Sequence, residues 1–171
     1  MKKFYGGINL DHHESIPKEY ESILHIGKNC IIGSGTILAG NGFGYKSNGK
    51  HKPHHKGLII NDNVHIHYNC VLDRGRIRDT IIGANTKIDS HAHIAHGVQI
   101  GKNCMIGSGA RILGSVTIGD NSTVWSGAII NQGVNIGKNC VIGAGSYIRK
   151  NIPDNQQVII YNNKPLYKHL N

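Results

Sequence analysis

Among the twelve histidines of this 171-residue chain, His96 has the setting of a side chain that could move protons. An imidazole of ordinary pKa, about 6.5, is largely free base near neutrality and can act there as a general base. His91 precedes it in an H-x4-H spacing, and neutral imidazoles are also zinc ligands. Arg149 and Lys150 form a pair of adjacent cations suited to phosphate oxygens. The stretch GYKSNGKHKPHHKGL, 44–58, carries Lys46, Lys50, Lys52 and Lys56 with His51, His54 and His55. It reads either as a solvated loop or as a flap over an anionic substrate. None of these residues can cooperate unless a scaffold brings them to one place.

The scaffold is written in a six-residue repeat. Ile26, Ile32 and Leu38 recur at that interval, as do Ile60, Ile66 and Leu72. An unbroken series then runs from Ile82 to Ile148, with Val124 the single departure from Ile. Three residues after each aliphatic stands Gly or Asn, except at His91 and Ser115. Gly and Asn tolerate positive φ, so each repeat contains a sharp corner. The next residue is small: Thr36, Val64, Ala92, Ala110, Ser122 and Ala128 are examples. Short strand, tight corner, short strand again describes a prism of stacked parallel β-coils. Three six-residue sides make eighteen residues per coil and about six coils.

That count puts His96, Gly114, Gln132 and Lys150 in one column along a corner. His96, two residues after Ile94, faces outward, and Gly114 beneath it has no side chain to obstruct a ligand. Lys150 lies three coils away, about 14 Å at ~4.8 Å per coil. Cys30, Cys70, Cys104 and Cys140 all occupy the small inward slot, where a free thiol acts as a small core residue. Cys104 and Cys140, two coils apart, are too distant for a disulfide.

Composition narrows the partners. A hydrophobic content of 39% suffices for a core, and no run approaches a membrane span of ~18 apolar residues. The opening MKKFYGGINLDHHE lacks an apolar stretch of the secretory kind, so a cytoplasmic location is expected. The net charge of +9 favours anionic partners. Aromatic residues are only 6%, which disfavours nucleic acid and leaves phosphorylated small molecules. The expected layout is a cap over 1–23, a β-helix over 24–153 with an inserted loop at 44–58, and a closing strand and tail over 154–171.

The repeat resembles that of the hexapeptide-repeat, left-handed β-helix family, and the hand is taken from that likeness. NGFGY (41–45), LDRGRIRDTIIGANTKID (72–89) and IAHGVQIG (94–101) further resemble UDP-3-O-acylglucosamine N-acyltransferases. The resemblance implies His96 as catalytic base and Gly114 as the backbone donor that polarises the thioester. It implies substrate binding by Asp89, Ser90, His91 and Arg74. Gly114, Gln132, Gly133, Arg149 and Lys150 would bind the donor, acyl-CoA, with acetyl-CoA favoured and no metal required. Ser90 stands where that family has Asn, and Gly133 where it has a second histidine. The likeness does not reach the family's N-terminal uridine- and lipid-binding domain or its C-terminal helices. The acceptor expected is therefore not lipid A itself but a nucleotide-linked amino sugar of surface-polysaccharide or lipopolysaccharide synthesis. The family places its sites between subunits, so a homotrimer is expected, with apolar outward residues such as Ile129 and Val141 to cover.

Two other readings stand beside this one. The H-x4-H spacing followed by Gly also resembles γ-class carbonic anhydrases, which hold zinc with a third histidine from a neighbour. Here Gly35 fills the column two coils above His91, leaving no clear third ligand. A non-catalytic scaffold or ice-binding solenoid is the other, but regular outward threonine rows are missing and IAHG would have no purpose.

Overall fold

The computed structural model describes residues 18–161 and 164–170, so most of the expected 1–23 cap lies outside the described residues. What is described of it is a 3-10 turn, Lys18–Tyr20, whose Tyr20 packs into the first coil. From there the chain forms a three-faced parallel β-solenoid of about six turns.

Face one stacks β1 (Leu24–Ile26), β4 (Leu58–Ile60), β7 (Thr80–Ile82), β10 (Gln99–Ile100), β13 (Thr117–Ile118) and β16 (Asn135–Ile136). Face two stacks β2 (Ile31–Ile32), β5 (His65–Ile66), β8 (Lys87–Ile88), β11 (Met105–Ile106), β14 (Thr123–Val124) and β17 (Val141–Ile142). Face three stacks β3 (Ile37–Gly40), β6 (Val71–Asp73), β9 (His93–Ile94), β12 (Arg111–Ile112), β15 (Ile129–Ile130) and β18 (Tyr147–Ile148). Beyond β17, face two continues with β19 (Gln156–Tyr161), which pairs antiparallel with β20 (Lys164–His169). The closing strand is thus half of a hairpin that ends the stack.

One aliphatic per hexad points inward, and together these form a continuous dry column from Leu24 to Val158. Burial of that column drives the stacking, since no coil can hide its own inward face. The small slot holds Cys70, Cys104 and Cys140 fully buried, and all four cysteines are free thiols. The thiols of Cys104 and Cys140 donate to the carbonyls of Gly119 and Pro153, at 3.3 and 3.1 Å. Burial pushes the thiols of Cys70, Cys104 and Cys140 up, which keeps them protonated and unreactive.

The corners take the expected left-handed conformation at all but three of the eighteen positions. His91 (φ 62°) and Ser115 (φ 63°) adopt it despite their residue types, because the coil geometry imposes it. The exceptions are Asn41, Gly75 and Asn151. The first two border insertions, where the chain leaves the regular path. Ala39 (φ 56°) takes the turn in Asn41's stead, at a register shift between β3 and β6.

Candidate active site

Both insertions leave the solenoid at the same corner, the one joining face three to face one. Leu24 pairs with Leu58, 34 positions on rather than 18, so the first coil carries sixteen extra residues. Leu58 pairs with Thr80, 22 positions on, which leaves four extra residues in the second. From Ile81 paired with Gln99 to Ile130 paired with Ile148 the period is 18, and only the closing coil, where Val141 pairs with Gln157, is two residues shorter. His96, two residues past β9, lies at this corner, directly below both insertions. The register of Leu72 with Ile94 and of Ile112 with Ile130 confirms the column Arg74, His96, Gly114, Gln132. Lys150 follows from the pairing of Ile130 with Ile148.

The ring of His96 fills the space that the missing side chain of Gly114 leaves. A methyl built on Gly114 would stand 2.7 Å from Cε1 and 2.8 Å from Nε2 of His96. The bare glycine therefore makes room for the imidazole, not, as expected, for a ligand, and Gly114 is itself buried beneath the ring. Its N–H donates to no acceptor among the described residues. The equivalent N–H groups of Lys28, Lys102 and Lys138 are satisfied by the carboxylates of Asp62, Asp120 and Asp154 on the next coil. The N–H groups of Ser108, Asp120, Ser126 and Gln132, at the same place in their hexads, likewise have no acceptor among the described residues.

The loop after β3 folds back over this corner. It is ordered as a small hairpin, with Lys46 N–H bonded to Lys50 O at 2.8 Å and Tyr45 bridged to His51. Aromatic rings run inward from its exposed tip: Phe43 on Tyr45 at 5.1 Å, Tyr45 on His51 at 5.2 Å, His51 on His54 at 5.6 Å. The run ends with His54 set edge-on against His96, centroids 5.2 Å apart. His54 is only 4% exposed. Gly42 packs among the same groups, since a methyl there would lie 3.1 Å from His54 Nε2 and 3.3 Å from His96 Cδ2. It would also lie 2.9 Å from an oxygen of Asp73. The buried Asp73 in turn holds His93 at 3.3 Å.

The second insertion clamps the first. Arg74 Nε donates to Lys56 O at 3.0 Å, and Asp79 accepts the Gly57 N–H at 2.7 Å. Arg78 donates to the carbonyls of Gly97 and Ser115 at 2.8 and 2.9 Å, bracing the turn immediately after His96.

Electrostatics here favour neutral imidazoles. Burial, helped by Arg76, holds His96 below the usual histidine value against the opposing pull of Asp73. His54 is pushed down to about 4, chiefly by burial and then by His96. Both rings are free bases at neutral pH.

The remaining expected residues are dispersed. Gln132, Gly133, Arg149 and Lys150 lie exposed along the column, with Arg149 5.8 Å over the ring of Tyr147. Arg74 is in the column, although its Nε is spent on the loop. Asp89, Ser90 and His91 are not brought to His96 within the chain. They sit at the corner between faces two and three, where Asp89 pairs with His67 at 3.4 Å. His91 and His96 therefore occupy different corners, with β9 between them. No group of three metal-ligating side chains is found among the described residues. Asp73 and Gly42 were not singled out from the sequence, and His54, named there only as part of the flap, was not foreseen to meet His96. Their signal was the count itself: both insertions follow a face-three hexad, as His96 does.

Residues 79–114 and 115–150 match the family described as bacterial transferase hexapeptide (six repeats), and 97–132 match the hexapeptide repeat of succinyl-transferase. The UDP-3-O-acylglucosamine N-acyltransferase of Methylobacterium nodulans is 45% identical over 89 residues, 49% of this chain and 25% of that protein. The chain thus spans about a quarter of the length of the curated relatives it matches. Among solved structures, a UDP-N-acetylglucosamine acyltransferase superposes with a TM-score of 0.75 at 27% identity, over 86% of this chain and 56% of that one. The enzyme of that name from Bacteroides fragilis gives the same TM-score at 24% identity, over 85% and 56%, a likeness of fold. No helix among the described residues is long and apolar enough to cross a membrane.

Proposed function

We propose, from the premise that residues 79–150 are built of the hexapeptide repeats of bacterial transferases, that this chain is an N-acyltransferase. It moves a short acyl group, acetyl for preference, from acyl-CoA to the amine of a nucleotide-linked amino sugar. The observation that carries this reading is His96: an imidazole held neutral at the corner where both insertions converge, beside a backbone N–H with no acceptor.

The amine nitrogen attacks the thioester carbon, and the carbonyl electrons move onto oxygen. The Gly114 N–H is the donor for that oxyanion, a role a fixed backbone dipole performs without reorganising. His96 takes a proton from the attacking nitrogen and returns it to the sulfur as the C–S bond breaks. No covalent enzyme intermediate is needed. The CoA arm runs from His96 along Gln132 and Gly133, with its phosphates about 14 Å away at Arg149 and Lys150. The basic loop, with Lys46, Lys50, Lys52 and Lys56, lies on the opposite side and takes the anionic nucleotide. A homotrimer completes the cleft, covering Ile129 and Val141, both half-buried in the single chain, and the more exposed Met105 and Trp125, each 47% exposed.

A panel of nucleotide amino sugars incubated with acetyl-CoA and read by mass spectrometry tests this. The expected product is 42 mass units heavier, by one acetyl in place of hydrogen (about 42 by composition). No acylated product with any member, from protein that is folded, would overturn the reading. Lys150→Glu should raise KM for the CoA donor severalfold and leave that of the sugar unchanged. A rise in the sugar's KM would mean that the substrates lie the other way round.

A further inference from the structure

His54 stands out because neither of its ring nitrogens has a hydrogen-bond partner among the described residues, although the side chain is more than nine-tenths buried. Leaving a buried polar atom unpaired is costly, and an apolar ring of the same shape would avoid that cost. His51 lies tilted against one side of the ring and His96 meets it edge to face. His51 is itself tied to the loop through Gly42 O at 3.1 Å. A histidine kept here, with its polar atoms idle, points to a partner that arrives with the substrate.

We infer that His54 is a substrate-contacting residue of the acyl transfer, lent by the 44–58 loop, which accepts the second N–H of the acceptor's amine while His96 accepts the first. This rests on the function proposed above and specifies the chemistry of its acceptor. A neutral amine has two N–H bonds and one lone pair. Two acceptors fix both hydrogens, and the lone pair is then aimed in one direction, at the thioester carbon. Two hydrogen bonds of about 2.9 Å from one tetrahedral nitrogen place their acceptors about 4.7 Å apart. The rings of His54 and His96 already meet edge to face at this corner, centroids 5.2 Å apart, so a small parting of the loop brings both imidazoles within reach of one nitrogen. Both must be free bases to accept, and burial keeps them so. A hydroxyl has one hydrogen and would leave His54 unpaired, so the pair selects amines over alcohols. Since both His54 nitrogens are sealed from water here, the loop parts from His96 to admit the amine and closes on it. One proton is transferred, to His96. The bond to His54 only orients.

The test uses the full chain with His54→Phe, which keeps the ring and removes its nitrogens, and His54→Gln, which returns an acceptor oxygen. Kinetics are read with acetyl-CoA and the UDP- or GDP-linked amino sugar that the panel shows to be acylated. His54→Phe should melt at or above the wild-type temperature and lose about tenfold in kcat/KM for the amino sugar, with KM for acetyl-CoA unchanged. His54→Gln should recover most of that loss. Wild-type kcat/KM in His54→Phe would overturn the inference. So would equal losses in both variants, which report loop packing, and so would a His54→Phe that fails to fold while His54→Gln is fully inactive. If wild type acylates no amino sugar, the proposed function falls and this inference with it. If wild type is active and the variants do not behave as stated, only the inference falls.

Discussion

Two corners of the same prism, built from the same repeat, are finished in opposite ways. At the corner between faces one and two, the column of asparagines is bonded from coil to coil: Asn85 to Asn103, Asn103 to Asn121, Asn121 to Asn139 and Asn139 to Asn155, at 2.9–3.2 Å. Aspartates cap the exposed N–H groups beside them. At the corner between faces three and one, the column changes residue at every step. Its insertions interrupt the period, and the buried imidazole of His54 is left unpaired among the described residues. The asparagine side chains of the ladder bond to copies of themselves from coil to coil. The irregular corner leaves His54 over, and a buried polar group without a partner calls for an explanation.

Breaking the working corner should cost activity and spare the fold. His96→Ala is expected to lower kcat by about 10²–10⁴, the usual worth of a general base, with the melting temperature nearly unchanged. The acid limb of the wild-type kcat/KM profile should lie below pH 6.5, since burial depresses His96 and the free base persists further into acid. His91→Ala, at the other end of face three, should change rates less than threefold. Equal losses in the two variants would point instead to a shared metal.

Gly114→Ala and Gly133→Ala sharpen the comparison within one column. The first puts a methyl 2.7 Å from the His96 ring and should reduce kcat about tenfold or more by displacing it. The second meets nothing within 4 Å but has φ at +74°. It should cost about 1 kcal/mol of stability, a shift of about 2–4 °C, and leave kcat alone. Kinetics and thermal melts on the same samples decide. A Gly133→Ala that lost activity with unchanged stability would move the chemistry one coil down.

The smallest effect belongs to the ladder. Asn121→Ala removes two side-chain bonds at an exposed corner and sets alanine at φ 59°. About 1–2 kcal/mol of stability should go, with acylation unaffected. Loss of activity there would end the division of labour between the corners.

Much of this was legible from spacing alone. Eighteen inward aliphatics fix the number of faces and coils, because burial repeats with the backbone and the period can simply be counted. The column from His96 to Lys150 follows from the same count. Asp73 and His54 did not, because they reach the site through irregular backbone. His54 arrives along a sixteen-residue excursion whose path depends on stacking among Tyr45, His51 and His96. Asp89 and His91 lie at a different corner of the chain from His96. Their assignment came from the family resemblance, and each corner turns the chain onto a new face every six residues.

The counting has a consequence for how such a protein can change. A coil of eighteen residues cannot absorb one or two more along a strand without turning its buried aliphatics outward. Length must be added as a whole coil or let out at a bend. Here both additions are let out at one bend, and the downstream register is untouched by their size. The segment between Gly42 and Gly57 is in effect an interchangeable cassette: it can be lengthened, shortened or rewritten while His96 and Gly114 stay where the solenoid puts them. A lineage built on this chassis could exchange the molecules it recognises without relearning the reaction.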